Sequence, residues 1–456
     1  VLDEFVNAIY GGFDVENSIE PTMWQELTKI MNDATAKGLS KGEFSIDHNR
    51  GFLDAVKHAN EIFAAFKTHA MGKSMASKLL DDNGNLKPFD KWMKDISSIS
   101  SHHVGSWLKT EYNTAVLRAH NAADWRSFVE NKDIMPNLRW MPTTSPDAEA
   151  VHRGYWEKKL TLPVEHSFWN KHHPGDRWNC KCSLESTDDP ASPDDILDDL
   201  PIEPAQRGLE NNPGKDGKMF NDTHPYFPKN CNQCSFYKDR GLKNKVKTWF
   251  SNHEKDCYKC EYIDKESKLK ELTSKLEDKE FKPSVNDKEF IYSLPEAKQF
   301  ITEYSDGKNK VLRHLLASKF EEDYPFVYRC AVKFSIKYGE VRINPQIPFV
   351  EKKGRKTIYK EIAENSKACP DLFVKQLGWV DIKSPFNIHN CCRNANHASS
   401  DQHAYACLTD DRFSSEITER QIISRIKAIF NSSKYTHDKI FWSIKGNLRI
   451  YKKSDF

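Results

Sequence analysis

The run from Gly378 to Asp411, GWVDIKSPFNIHNCCRNANHASSDQHAYACLTDD, constrains the fold most tightly. Val380-Asp381-Ile382-Lys383 alternates apolar and charged, so at a period of two Asp381 and Lys383 leave one face of one strand. Ser384-Pro385 stops that strand and opens a helix with proline in its first turn. The helix carries His389, Arg393, Asn394, Asn396, His397 and Gln402, more polar groups than packing requires. Ala404 to Leu408 follows as a buried strand, ending in Thr409-Asp410-Asp411. The result is a βαβ-like unit on which a carboxylate, a cation, an imidazole and two amides converge. Those groups suit phosphodiester cleavage, where fixed cations meet a developing phosphorane charge and an imidazole moves protons.

A chain of 456 residues has room for two or three domains, each with its own core. It contains no apolar run of about 18 residues, so no membrane span is expected, and no secretory signal is legible. Its net charge of +2 hides an asymmetry. From Phe290 onward there are 28 Lys and Arg against 19 Asp and Glu, leaving 40 against 47 upstream. A basic tail on an acidic carrier points to a nucleic-acid partner for the tail, with a merely solvated basic surface as the plainer reading. Of eleven cysteines, four form two CxxC pairs and two a CxC, a usage suited to metal binding in a reducing compartment.

The expected architecture is multidomain α+β. Residues 1–135 read as a helical region, with apolar positions at helical spacing through Phe52-Leu53-Val56-Ala59-Ile62-Phe63-Phe66 and again from Trp107 to Phe128. Asp81 to Asn85 is a turn cluster between the two runs. His102-His103 reads as surface. Residues 136–228 read as a small core and linker. Within them stand Trp140, Asp147, His152, Leu162-Pro163, Phe168-Trp169, Pro174 and Asn179-Cys180-Lys181-Cys182. In that order these segments resemble the Mu-F-like minor head (phage head morphogenesis) domain, over about residues 105–190. Lys181 departs from the usual Arg, and Ala148-Glu149 from a common D-x-R pair. The resemblance implies a few copies per capsid near the portal, in contact with other capsid proteins, so a virion-head or bacterial cytoplasmic location. Asp147, His152, His172 or His173, Cys180 and Cys182 are residue types that would gather around a second zinc. The plainer alternative is a small β-core knit by hydrogen bonds.

Residues 190–230, with Pro190, Pro193, Pro201, Pro204 and Pro213 and an acidic cluster at Asp194-Asp195 and Asp198-Asp199, read as an exposed linker. HPYF at 224–227 resembles a segment that follows this domain in similar head proteins, which implies that it docks back. Residues 229–264 hold Cys231-Asn-Gln-Cys234 and Cys257-Tyr-Lys-Cys260, two knuckles whose four thiolates would meet around a structural zinc. The insert between them is basic, with Lys238, Arg240, Lys243, Lys245 and Lys247. Residues 265–286 read as a charged helical spacer.

Residues 287–456 are expected to form an α+β domain with an antiparallel sheet. Lys310 to Phe320 reads as a helix, Val327 to Ile336 as an alternating strand, and Arg355 to Glu364 as a basic helix. Leu372 to Val374 and Trp379 to Ile382 read as a strand pair, and Glu416 to Phe430 as an amphipathic helix. The chain closes in a hairpin around Lys445-Gly446. The order D-x-K, S-P, N-x-x-H and a later Gln resembles phage-borne nucleases of the barnase–EndoU–colicin–RelE group, a resemblance limited to the stretch after Pro370. It implies a polymorphic-toxin ribonuclease working without a catalytic metal, with an RNA substrate and an immunity protein as partners. His397 would be the general acid or base, Lys383 would stabilise charge, and Asp381 would orient either one. Asn394 and Gln402 would bind phosphate or base, with Thr409 adjoining, and Arg355, Lys356 and Arg393 would contact the nucleic acid.

The same residues satisfy a second pattern. Pro370-Asp371, nine intervening residues and Asp381-Ile382-Lys383 fit the short PD…(D/E)xK signature of magnesium-dependent nucleases. Asp371 and Asp381 would then hold the metal and Lys383 would activate water. A third reading, from a different class, is a purely structural head protein whose basic tail holds packaged DNA.

Overall fold

The structure, a computed structural model, describes residues 1–41, 47–143, 150–237, 255–363, 367–414 and 416–456. These form a mixed α+β protein in two compact units, Val1–Ser267 and Lys268–Phe456. Asp147 and the basic insert between the CxxC pairs lie outside the described residues.

In the first unit five helices precede a small sheet: α1 (Leu2–Tyr10), α2 (Pro21–Leu39), α3 (Arg50–Ala76), α4 (Phe89–Ser101) and α5 (Trp107–Glu130). The helical stripes turn inward together. Phe63 and Phe66 of α3 and Ala115 and Ala119 of α5 are buried with Trp24 and Met31 of α2. Asp81 closes its turn by accepting from the backbone N–H groups of Asn83 and Asn85, both at 2.9 Å. His103 is buried rather than on the surface, and burial depresses its pKa to about 4.

The sheet of this unit has β1 (Asn137–Met141) at its centre, antiparallel to β2 (Thr161–Pro163) and β3 (Ser183–Thr187). Helix α6 (Ala150–Glu157) lies between β1 and β2 in the chain. Trp140, Tyr155 and Trp169 pack in its core. The expected linker divides: the described residues of 190–206 are mostly exposed, whereas the stretch from Gly208 to Phe227 packs into the core. Leu209, Met219 and Phe220 are almost fully buried, and Phe227 meets Phe66 at 4.6 Å between ring centroids. Prolines there end secondary structure without ending packing. The buried Arg118 holds the segment in place by donating to the carbonyl of Asn211 at 2.8 Å.

The second unit is built on one eight-stranded sheet. Its strands are β4 (Phe300–Ser305), β5 (Lys310–His314), β6 (Glu340–Ile343), β7 (Leu372–Val374), β8 (Gly378–Lys383), β9 (Tyr405–Thr409), β10 (Lys439–Ile444) and β11 (Asn447–Lys452). Neighbours follow chain order. The sheet is mixed, not antiparallel: β5–β6, β8–β9 and β9–β10 run parallel and the other pairs antiparallel. Gly446 at φ 83 and Lys445 at φ 44 supply the two left-handed positions of a tight hairpin turn. Helix α7 (Tyr324–Tyr338) covers one face, and α8 (Cys391–Ser400) and α9 (Glu419–Phe430) the other.

Two expectations fail here. Val327 to Ile336 is helical, because its period-two alternation coexists with a helical stripe of Val327, Cys330, Ala331 and Phe334. That stripe is buried, while Ile336 is 59% exposed. Lys310 to His314 is a strand, paired to β4 through the Asp306-Gly307 turn. The charged segment expected as a spacer also packs: Leu272 is buried with Ile291 and Leu315.

Helices α2 and α5 meet closely at Gly38, where an added Cβ would lie 2.3 Å from the carbonyl oxygen of Val116. Alanine exceeds glycine in helix propensity by about 1 kcal/mol. Backbone cannot yield as a side chain does, so Gly38→Ala should instead lower stability by about 1–3 kcal/mol in denaturant melts. A variant as stable as the parent would contradict this helix contact.

Candidate functional site

Strand β8 carries Val380 and Ile382 into the core under α7, which turns Asp381 and Lys383 toward the α8 face. In the antiparallel register of β7 and β8, Leu372 pairs with Val380. One step further out, Asp371 stands opposite Asp381, so both carboxylates leave the same face of the sheet. Asp381 is 2% exposed, and its Oδ2 lies 2.7 Å from Lys383 Nζ. Asp371 Oδ2 accepts from the backbone N–H of Ile382 at 2.8 Å, and its Oδ1 from Gln346 Nε2 at 3.2 Å.

The electrostatics follow from this crowding. Burial and then the charge of Asp381 push the Asp371 pKa well above the ordinary aspartate value. Burial also raises Asp381, although the Lys383 ammonium opposes the rise and His397 adds a smaller pull in the same direction. Two carboxylates in one largely buried space beside a single lysine hold a proton between them more readily than two negative charges. A divalent cation would replace that proton with chemistry that suits oxygen donors. The donor set fits a hard ion of the magnesium class.

The remaining predicted residues divide. His397 is on the exposed side of α8 and pairs with Asp401 at 3.7 Å, while its charge still reaches Asp381. Asn394 is partly buried on the same helix and Arg393 is exposed. Gln402 is committed to structure: its Oε1 accepts from the Cys369 N–H at 2.6 Å, fixing the entry to β7. Thr409 does not join the site. Ala406 and Leu408 pack on the α8 side of β9, so Thr409, like Cys407, belongs to the opposite face. Arg355 is 1% exposed and donates to the carbonyls of Ile347 at 3.1 Å and Ala368 at 2.7 Å, so it braces a loop and is not available to nucleic acid. Lys356, beside it, is exposed. Gln346 was not singled out by the sequence, because a lone glutamine in the loop NPQIP carries no periodic or motif signal.

Two thiol groups occur in the first unit. Cys231, Cys234, Cys257 and Cys260 line a single cavity. Burial, Asp222 and the neighbouring thiols Cys234 and Cys260 push the Cys257 thiol up, as expected of thiols crowded without a cation. His152, Cys180 and Cys182 form a second group, wholly buried. Of the other ligands considered with them, His172 pairs with Asp176 at 3.5 Å and His173 bonds the backbone carbonyls of Pro174 and Asn211.

Comparison of the chain with protein-family models, with curated proteins and with solved structures finds no match.

The raised acid pair makes a stability prediction. Its folded state binds protons more tightly than the unfolded chain, so its favourable contribution is complete below the ordinary value of 3.8 and is lost as pH rises through the elevated folded pKa. At neutral pH without added metal, Asp371→Asn should therefore raise the melting temperature, and the gain should shrink as pH falls toward 4. A destabilised Asp371→Asn protein at neutral pH would contradict the shared-proton account.

Proposed function

We propose that the second unit is a divalent-metal-dependent nuclease of the PD…(D/E)xK type. The observation that carries this reading is the placement of Asp371, just ahead of β7, against Asp381 of β8 with Lys383 beside them. In this role Asp371 and Asp381 would hold the ion, and the ion would neutralise phosphate charge and acidify a bound water. Lys383 would hold an attacking water or a non-bridging phosphate oxygen against the carboxylates. Gln346 would keep the Asp371 carboxylate turned toward the site. Attack by water needs no ribose 2′-hydroxyl, so duplex DNA is the substrate class this arrangement favours over RNA.

One observation keeps the metal-independent ribonuclease reading in play: His397 is exposed, where a substrate hydroxyl could reach it, and its charge acts on Asp381. The nuclease would be the terminal part of a Mu-F-like head-morphogenesis protein, with capsid proteins and an immunity protein as partners. The resemblance in residues 105–190 supports that setting. The four-cysteine cavity would hold a structural zinc, supported by the CxxC spacing and the crowding of its thiols.

Cleavage of duplex DNA and of tRNA by the full chain, with magnesium and with EDTA, separates the readings. EDTA should abolish cleavage. Asp371→Asn, Asp381→Asn and Lys383→Ala should each lose roughly 100-fold or more, on the scale of several kcal/mol of metal and charge stabilisation. His397→Ala should lose less than about tenfold. RNA cleavage that survives EDTA and fails in His397→Ala would establish the acid–base reading instead. A chain that cuts neither substrate would leave a structural head protein with a basic tail.

A further inference from the structure

In the first unit, His152 on α6 faces the CxC that leads into β3. Its Nδ1 lies 3.5 Å from Cys180 Sγ and 3.7 Å from Cys182 Sγ. All three ligand atoms lie within 4.8 Å of one another. The residues are 0%, 5% and 3% exposed.

Zinc bound tetrahedrally, with about 2.05 Å to nitrogen and about 2.3 Å to sulfur, sets N···S separations of about 3.6 Å. The observed pair brackets that value. These are also ordinary lengths for a thiol hydrogen bond, so distance alone does not decide. The far side of the ring does more. His152 Nε2 lies 2.7 Å from Asp176 Oδ1 with both side chains buried, so the two thiols converge on the other ring nitrogen, Nδ1. A carboxylate that fixes the far nitrogen of an imidazole, while the near nitrogen meets soft donors, is how a metal-bound histidine is held in orientation. Rings reinforce the orientation, since Trp140 packs against His152 at 4.9 Å and Tyr155 at 5.8 Å.

We infer that His152, Cys180 and Cys182 bind a soft divalent cation of the zinc class, oriented by Asp176, which pins α6 to the approach of β3. Two thiolates and an imidazole exclude magnesium and calcium by softness. Burial of all three side chains makes the site structural, a strut for a three-stranded sheet too small to bury much by itself. Among the described residues no fourth His, Cys, Asp or Glu joins the group. This site is separate from the four-cysteine cavity and from the carboxylate pair.

The test uses the full chain carrying Cys231→Ser and Cys234→Ser, which removes the other thiol group. After purification without chelator it should retain about one zinc per chain by elemental analysis. Adding Cys180→Ser and Cys182→Ser should remove that ion. A chain with native-like circular dichroism and no zinc while Cys180 and Cys182 are intact would overturn the inference. Should the added serines prevent folding, cobalt loaded into the Cys231→Ser/Cys234→Ser chain gives an independent reading. A thiolate-to-cobalt charge-transfer band is expected, and its absence would equally overturn the site.

Discussion

Two carboxylates set against one another beside a single lysine, one of them buried, cannot both be charged cheaply. That constraint organises the second unit. Leu372 and Val380 pair in the core, and this register leaves Asp371 and Asp381 opposite one another with Lys383 beside them. An apolar pair in their place would pack better. Retaining two acids there costs stability in the metal-free protein, and such a cost makes chemical sense where a cation is to be bound.

The sheet explains why these residues meet. Its β6–β7–β8 meander is antiparallel and β9 returns parallel through α8, so strand and helix ends converge at one edge of the layer. Asp371 enters from a loop, Asp381 and Lys383 from the middle and end of a strand, and His397 from the covering helix. Loop anchors made by Arg355 and Gln402 hold the segment before β7 rigid, so two residues first read as ligand contacts serve instead as its braces.

Much of this unit was legible in the sequence, and what failed did so for identifiable reasons. The D-x-K strand and the terminal hairpin could be read because period two and the Lys445-Gly446 turn act locally. The helix expected to open on Pro385 instead begins at Cys391, after a short turn at Ile388–Asn390 capped by the Asn387 side chain, so His389 and Gln402 lie outside it. Thr409 was misplaced because strand parity sends it to the face away from Asp381, and parity depends on a pairing register no single strand reveals. The segment Val327 to Ile336 fits both a strand and a helix, and only the neighbouring sheet chooses between them. Arg355 looked like a phosphate contact because charge alone does not tell a surface cation from a buried one. In the first unit the CxC and His152 were legible as a candidate set, whereas the orienting role of Asp176 needed the fold.

The carboxylate pair can be interrogated without knowing any substrate. Magnesium binding to the full chain near pH 7 can be followed by calorimetry in buffers of differing ionisation enthalpy, which counts the protons displaced. An ion that replaces the proton shared by Asp371 and Asp381 releases up to about one proton per ion bound, and Asp371→Asn should abolish both binding and release. Binding with no proton release, or binding unchanged in Asp371→Asn, would show that the ion does not occupy this site.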